Sequence, residues 1–301
     1  MISDLIKNPR LVFTKALRRF TLNRESDKFR LLLRNSLRKS CTKEELKIPT
    51  KHGFWMWVSP KDYATYGIYF FGEYDPSMTS VLKHLVKPGD SVWDIGTERG
   101  WFTLLMGSLV GSTGRVDSFE AFPPTVEKLE RNVRLNQMDW VHVNGVAVSD
   151  EKSKMWFVPP SNEVTNNVSF LNDCNGVGYL TDSFKPGSIE VETINLDEYY
   201  EVQKVDKLSL IKMDIEGAEV SAISGAVRLI SKDKPIIAIE FNRQTALRAN
   251  SSVEELSDLL LSLGYKLFLF EKKFIPFNLA DYKKDDIVLN VYCFPDNRRT
   301  L

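Results

Sequence analysis

The chain has 301 residues, 43% of them apolar, with 40 Lys+Arg balanced by 40 Asp+Glu. That composition excludes wholesale disorder and suffices for the core of one large α/β domain or two modest ones. No apolar run approaches the roughly 18 residues that a membrane-spanning helix needs, and with no apolar run of signal-peptide length after Met1-Ile2-Ser3-Asp4 a secretory leader is not expected.

Charge is unevenly spread. Residues 1–50 hold thirteen Lys/Arg against five Asp/Glu, and read as a basic helical extension. Phe13, Ala16, Leu17 and Phe20 form one apolar stripe at helical spacing, and Phe29, Leu32, Leu33 and Leu37 form another. Apolar stripes with cationic flanks fit a lid, a peripheral membrane contact or a homodimer interface. Cys41, Cys174 and Cys293 are far apart and form no CxxC or Cys/His cluster, so neither a zinc site nor a disulfide framework is expected. A reducing, cytoplasmic setting is the expectation.

Residues 51–77 are rich in aromatics (Phe54, Trp55, Trp57, Tyr63, Tyr66, Tyr69) and predict a hairpin or two. Over 78–301 the pattern changes to regular alternation. Strands are predicted at 91–94, 115–120, 141–147, 208–213, 235–241, 265–270 and 287–294, with helices at 79–86, 101–110, 124–136, 217–230 and 252–263. This spacing argues for a doubly wound, mostly parallel seven-stranded sheet with an N-terminal helical and hairpin extension. The alternation breaks at about 151–206, where strands near 155–158 and 189–194 flank a polar loop at 161–187. Such an insertion is where substrate loops commonly sit.

The first strand runs into Asp94-Ile95-Gly96-Thr97-Glu98-Arg99-Gly100. An acid and two glycines differ from the three-glycine turn that cradles a pyrophosphate. The second strand ends in Glu120, placed to accept both hydroxyls of a ribose, and Ala147-Val148-Ser149-Asp150 follows the third. The fourth ends Lys212-Met213-Asp214-Ile215-Glu216-Gly217-Ala218-Glu219. Acids crowded at a strand end favour a ligand site, although Glu219 also suits the start of the next helix. His52, His84 and His142 lie outside these motifs.

Taken in order, these four motifs resemble the FkbM family of S-adenosylmethionine-dependent methyltransferases, within the class I Rossmann-like group. The resemblance covers roughly residues 67–245 and includes the lead-in Phe71-Gly72-Glu73-Tyr74-Asp75-Pro76. It departs at Thr97-Glu98, where the family usually carries Ala-Asn, and at Asp75, where Glu is usual. The resemblance implies S-adenosylmethionine as cofactor. Asp94, Gly96, Thr97 and Gly100 would line its methionine end, Glu120 its ribose and Asp150 its adenine; Asp214 would lie beneath the sulfonium, and Tyr74 is a further contact. Glu216 is the first candidate for general base, with Asp214 and Lys212 behind it.

No metal is assigned, because Asp214 and Glu216 alternate along the chain and reach one ion only if the strand has already ended. Asp214-Ile215-Glu216-Gly217 replaces the Asn/Asp-Pro-Pro-Tyr of many amine methyltransferases, so the expected acceptor is a hydroxyl on a sugar, glycan or natural product. The alternatives are an RNA methyltransferase gripping phosphates with its basic arm, or a cofactor-binding protein without turnover. No aromatic-basic RNA module is recognisable, which sets nucleic acid aside as the expected partner.

Overall fold

The computed structural model describes residues 45–60, 62–160, 178–281 and 288–296. The two N-terminal stripes, Cys41, Cys174 and most of the polar loop lie outside the described residues.

Strands β1 (Leu46–Pro49) and β2 (Trp55–Val58) form an antiparallel hairpin. The first of them begins before residue 50, so the hairpin reaches into the stretch read as the basic extension. Helices Tyr63–Phe71 and Pro76–Leu85 follow. The first replaces the second hairpin that its aromatics suggested: Ile68, Tyr69, Phe70 and Phe71 all bury, and tertiary packing overrides their strand preference. Asp75 caps the second helix, its Oδ1 accepting from Met78 N at 2.9 Å, with Pro76 at the first turn.

β3 (Ser91–Ile95), β4 (Arg115–Phe119), β5 (Val141–Asn144) and β10 (Leu208–Met213) are mutually parallel, joined through helices Trp101–Val110 and Pro123–Leu135. β11 (Ile236–Asn242) lies parallel to β10, while β14 (Val288–Pro295) runs antiparallel between β11 and β12 (Tyr265–Phe270). A short β13 (Phe274–Pro276) extends the edge, so the sheet has eight strands among the described residues, where seven were expected: β13-β12-β14-β11-β10-β3-β4-β5. β10 and β11 are near-continuous apolar runs because both faces of the sheet are covered. Val92, Leu210 and Ile236 pack under the helices from Tyr63 to Leu135. Trp93, Ile211 and Ile237 pack under helices Leu196–Gln203, Glu219–Ser224, Val227–Asp233 and Val253–Ser262.

Two expectations need correcting. The strand predicted at 141–147 ends at Asn144, and β6 (Ala147–Ser149) leaves the main sheet to pair with β9 (Ile189–Asn195). With β7 (Lys154–Val158) and β8 (Tyr179–Thr181) it forms a second, four-stranded sheet within the insertion. The helix predicted at 217–230 is two helices broken at Gly225, where a Cβ would stand 2.4 Å from Ser149 O.

Helix Pro123–Leu135 also clasps the hairpin. Asn136, just past its end, accepts from Trp55 N at 2.7 Å and donates to Trp55 O at 2.8 Å, and Asn132 accepts from Trp57 N at 2.8 Å. The Asn132 amide also donates to Arg99 O at 3.1 Å, and the Arg99 guanidinium pairs with Asp62.

Candidate active site at the carboxyl edge of the sheet

β3 carries Asp94 one residue before its end, and β10 places Lys212 level with it in the parallel register. β3 has β4 on one side and β10 on the other, the switch point where such sheets bind ligands. Asp94 is fully buried. Its Oδ2 accepts from Thr103 at 2.6 Å, and its Oδ1 lies 3.6 Å from Lys212 Nζ.

Lys212, the candidate behind Glu216, has its Nζ buried, donating to Gly96 O at 3.0 Å and 3.8 Å from Asp214 Oδ2. Burial alone would lower its pKa, yet Asp94 and Asp214 outweigh that and hold it above the ordinary lysine value. In this setting the Lys212 ammonium braces the glycine turn through Gly96 O.

The turn itself is tight. Gly96 has φ +77°, and a Cβ there would stand 1.8 Å from Asp214 O, so only glycine lets the ends of β3 and β10 meet. Thr97 Oγ1 is buried without a hydrogen-bond partner among the described residues. Glu98 keeps part of its surface exposed, yet its carboxyl is within electrostatic reach of Asp214 and Lys212, and its backbone N–H donates to Glu120 Oε2 at 2.9 Å. Phe122 N donates to Glu120 Oε1, also at 2.9 Å, so two amides set the orientation of the Glu120 carboxyl. Burial pushes that carboxyl up to about 7 against the pull of both amides. Gly100 caps helix Trp101–Val110, and a Cβ there would press on Leu129.

Past Met213 the strand has ended, and that changes the reach of the acids. Asp214, Glu216 and Glu240 bring carboxylate oxygens within 4.8 Å of one another. Glu240 escaped the sequence reading; its only signal is an acid inside the apolar run of β11. Burial first, then the neighbouring charges of Asp214 and Glu219, pushes Glu216 up to about 8. Glu240 is raised well above the ordinary value by burial, with Asp214 and Glu216 adding to it. Three carboxyls this close must share protons or a cation, and Lys212 supplies one positive charge beside Asp214. Glu219 is structural: its two oxygens accept from Ile215 N and Gly217 N at 3.0 and 2.9 Å and pin the turn.

Two predicted contacts stand apart. Asp150 is exposed, its Oδ1 accepting from Ser149 Oγ at 2.9 Å, and no hydrogen bond among the described residues joins it to the Asp94–Lys212 cluster. Tyr74 packs edge-on against Phe102 at 5.9 Å, and the Lys212 ammonium lies 5.3 Å from the Phe102 ring. Asp75, in the same lead-in, accepts from Asn290 Nδ2 at 3.3 Å and ties that segment to β14. No helix among the described residues is long and apolar enough to cross a membrane.

A family profile described as the methyltransferase FkbM domain matches residues 94–267. Methyltransferase 1 of Beauveria bassiana is 27% identical over 149 residues, 46% of this chain and 59% of that protein. The 2-O-methyltransferase NoeI of Sinorhizobium fredii is 24% identical over 193 residues, 60% of this chain and 75% of that protein. The solved FkbM methyltransferase of Methylobacillus flagellatus matches with a TM-score of 0.43 and 17% identity, over 76% of this chain and 52% of that one. The match thus spans somewhat over half the length of the Beauveria relative and of the solved protein. With the profile covering every strand from Asp94 to Leu267, the chain belongs to the FkbM family of methyltransferases.

Proposed function

We propose that this protein transfers a methyl group from S-adenosylmethionine to a hydroxyl of a sugar, glycan or natural product, with Glu216 as proton acceptor. The observation that carries the reading is the meeting of Asp214, Glu216 and Glu240 directly beside the glycine turn. The turn suits the cofactor: an unpartnered buried Thr97 hydroxyl, a glycine that nothing larger could replace, and a Glu120 carboxyl oriented by two amides. Glu120 would accept the ribose hydroxyls, and Thr97 would donate to the methionine carboxylate. The cofactor supplies an electrophilic methyl on a sulfonium.

The chain supplies alignment and a base. In-line displacement depends chiefly on holding acceptor and donor in register. A hydroxyl must also lose its proton, and a carboxyl raised to about 8 is a stronger base than an ordinary glutamate. The proton accepted at Glu216 can be shared with Glu240 and Asp214, whose oxygens lie within reach. Carboxylates surround this strand end, which favours oxygen acceptors, and the Sinorhizobium relative is itself a 2-O-methyltransferase.

The test has two stages. Calorimetry with S-adenosylmethionine, S-adenosylhomocysteine and NAD comes first, then labelled methyl transfer to panels of sugar hydroxyls, phenols and RNA. Adenosyl binding with label on a hydroxyl supports the reading. NAD binding alone, or label on RNA bases only, overturns it.

A further inference from the structure

Glu216 sits in a backbone conformation that a glutamate rarely adopts, φ +57°, and such a residue persists only where its surroundings over-determine it. Glu219 holds the amides of Ile215 and Gly217 on either side of it, and the segment after β11 supplies the rest of the restraint. Gly217 lies so close to helix Arg243–Arg248 that a Cβ would stand 2.2 Å from Thr245 O. Ser251 Oγ donates weakly to Gly217 O at 3.4 Å. Arg248, the last residue of that helix, donates from Nη2 to Glu216 O at 3.2 Å. The same guanidinium lies over the Tyr179 ring, 4.2 Å from its centroid, and Tyr179 opens β8 in the insertion.

The charges that face Glu216 are Asp214 and Glu219 from its own turn, Glu240 from β11, Glu98 from the glycine turn and Arg248. Only Arg248 among them is positive. Lys212 is engaged elsewhere, with Asp94, Asp214 and Gly96 O.

We propose that Arg248 is the positioning residue of Glu216, and that Tyr179 transmits to it the placement of the acceptor-side insertion. The inference rests on Glu216 acting as the base of the preceding section. A guanidinium suits this task because its plane stacks on an aromatic ring while its edge donates to a carbonyl. Its charge opposes the four acids and keeps a fraction of Glu216 ionised. Seating the insertion against Arg248 therefore readies the base.

The experiment follows the Glu216 carboxyl by carbon NMR across pH 5–10, assigned with Glu216→Gln, alongside the pH–rate profile. Arg248→Gln removes the charge while keeping a polar side chain of similar stem. The expected result is a Glu216 midpoint about one unit higher and a rate at pH 7 about tenfold lower, recovering as pH rises. Arg248→Lys should restore the midpoint but not the full rate, since an ammonium cannot stack as a plane. Tyr179→Leu should lower kcat more than it raises acceptor KM. An unmoved midpoint in Arg248→Gln, or a rate loss equal at every pH, overturns the proposal. If the midpoint shifts while no hydroxyl is methylated by the wild-type protein, the O-methyltransferase reading fails and what survives is the electrostatic control of the Glu216 carboxyl by Arg248.

Discussion

Lys212 and Asp94 stand level across the β10–β3 ladder, with Nζ 3.6 Å from Oδ1, and neither side chain reaches solvent. The pair joins the two halves of the site: Asp94 belongs to the glycine turn, while the same ammonium lies beside Asp214. Lys212→Met should leave Asp94 buried without its counter-ion, which costs about 3–5 kcal/mol where one partner of a buried pair is removed. Denaturant unfolding measures the loss. Lys212→Arg should rescue it poorly, because a fork does not fit where one point charge serves Gly96 O and two carboxylates.

Gly96→Ala tests the closeness of β3 and β10. The left-handed backbone alone costs about 1–2 kcal/mol for a side chain, and the Cβ would also displace the Asp214 carbonyl. We expect a lower melting temperature together with weakened S-adenosylhomocysteine binding by calorimetry. A variant that binds normally would show that the turn does not hold the donor.

Glu120→Ala should weaken cofactor binding by about tenfold to a hundredfold, the range for losing hydrogen bonds to a charged group. Because burial places this carboxyl at about 7, wild-type affinity should also fall as pH drops below that value, by at most about tenfold per unit. The pH dependence should vanish in Glu120→Gln.

Glu216→Gln should reduce the rate by about a hundredfold or more while leaving cofactor affinity nearly unchanged. The wild-type rate should climb with pH through about 8, since the base acts only when ionised. Stability should move the other way. The folded state holds the Glu216 proton up to about 8, against 4.5 as the ordinary value, so it binds more protons than the unfolded chain within that window. Stability therefore falls as pH rises through the window. Glu216→Gln should melt a few degrees above wild type at pH 8 and no differently at pH 4.

Much of this architecture is legible in the residue pattern. Helix Trp101–Val110 and strands Leu208–Met213 and Tyr265–Phe270 follow from apolar runs bounded by glycine or polar residues, and have the predicted limits. Helix Tyr63–Phe71 does not, because aromatics favour strands locally and only burial decides otherwise. Helix Arg243–Arg248 is too short to show a period. In the site, Asp94, Glu120 and Asp214 announce themselves as acids at strand ends. Glu240 and Arg248 do not, since their importance lies in what crosses from β11 toward the β10 turn, a contact between segments more than twenty residues apart. Lys212 is conspicuous in sequence, but nothing in a linear motif shows that its amine is wedged between two carboxylates.

Asn132 and Asn136 give the hairpin what a neighbouring strand would give it, amide groups that answer its backbone. A lone two-stranded hairpin is marginal in water, so this one gains its order from a helix that must already be formed. The Asn132 amide that completes the clasp also fixes Arg99 O, inside the glycine turn. Loosening the hairpin from this helix would therefore also free the Arg99 carbonyl, so the segment before the sheet and the glycine turn share one anchor.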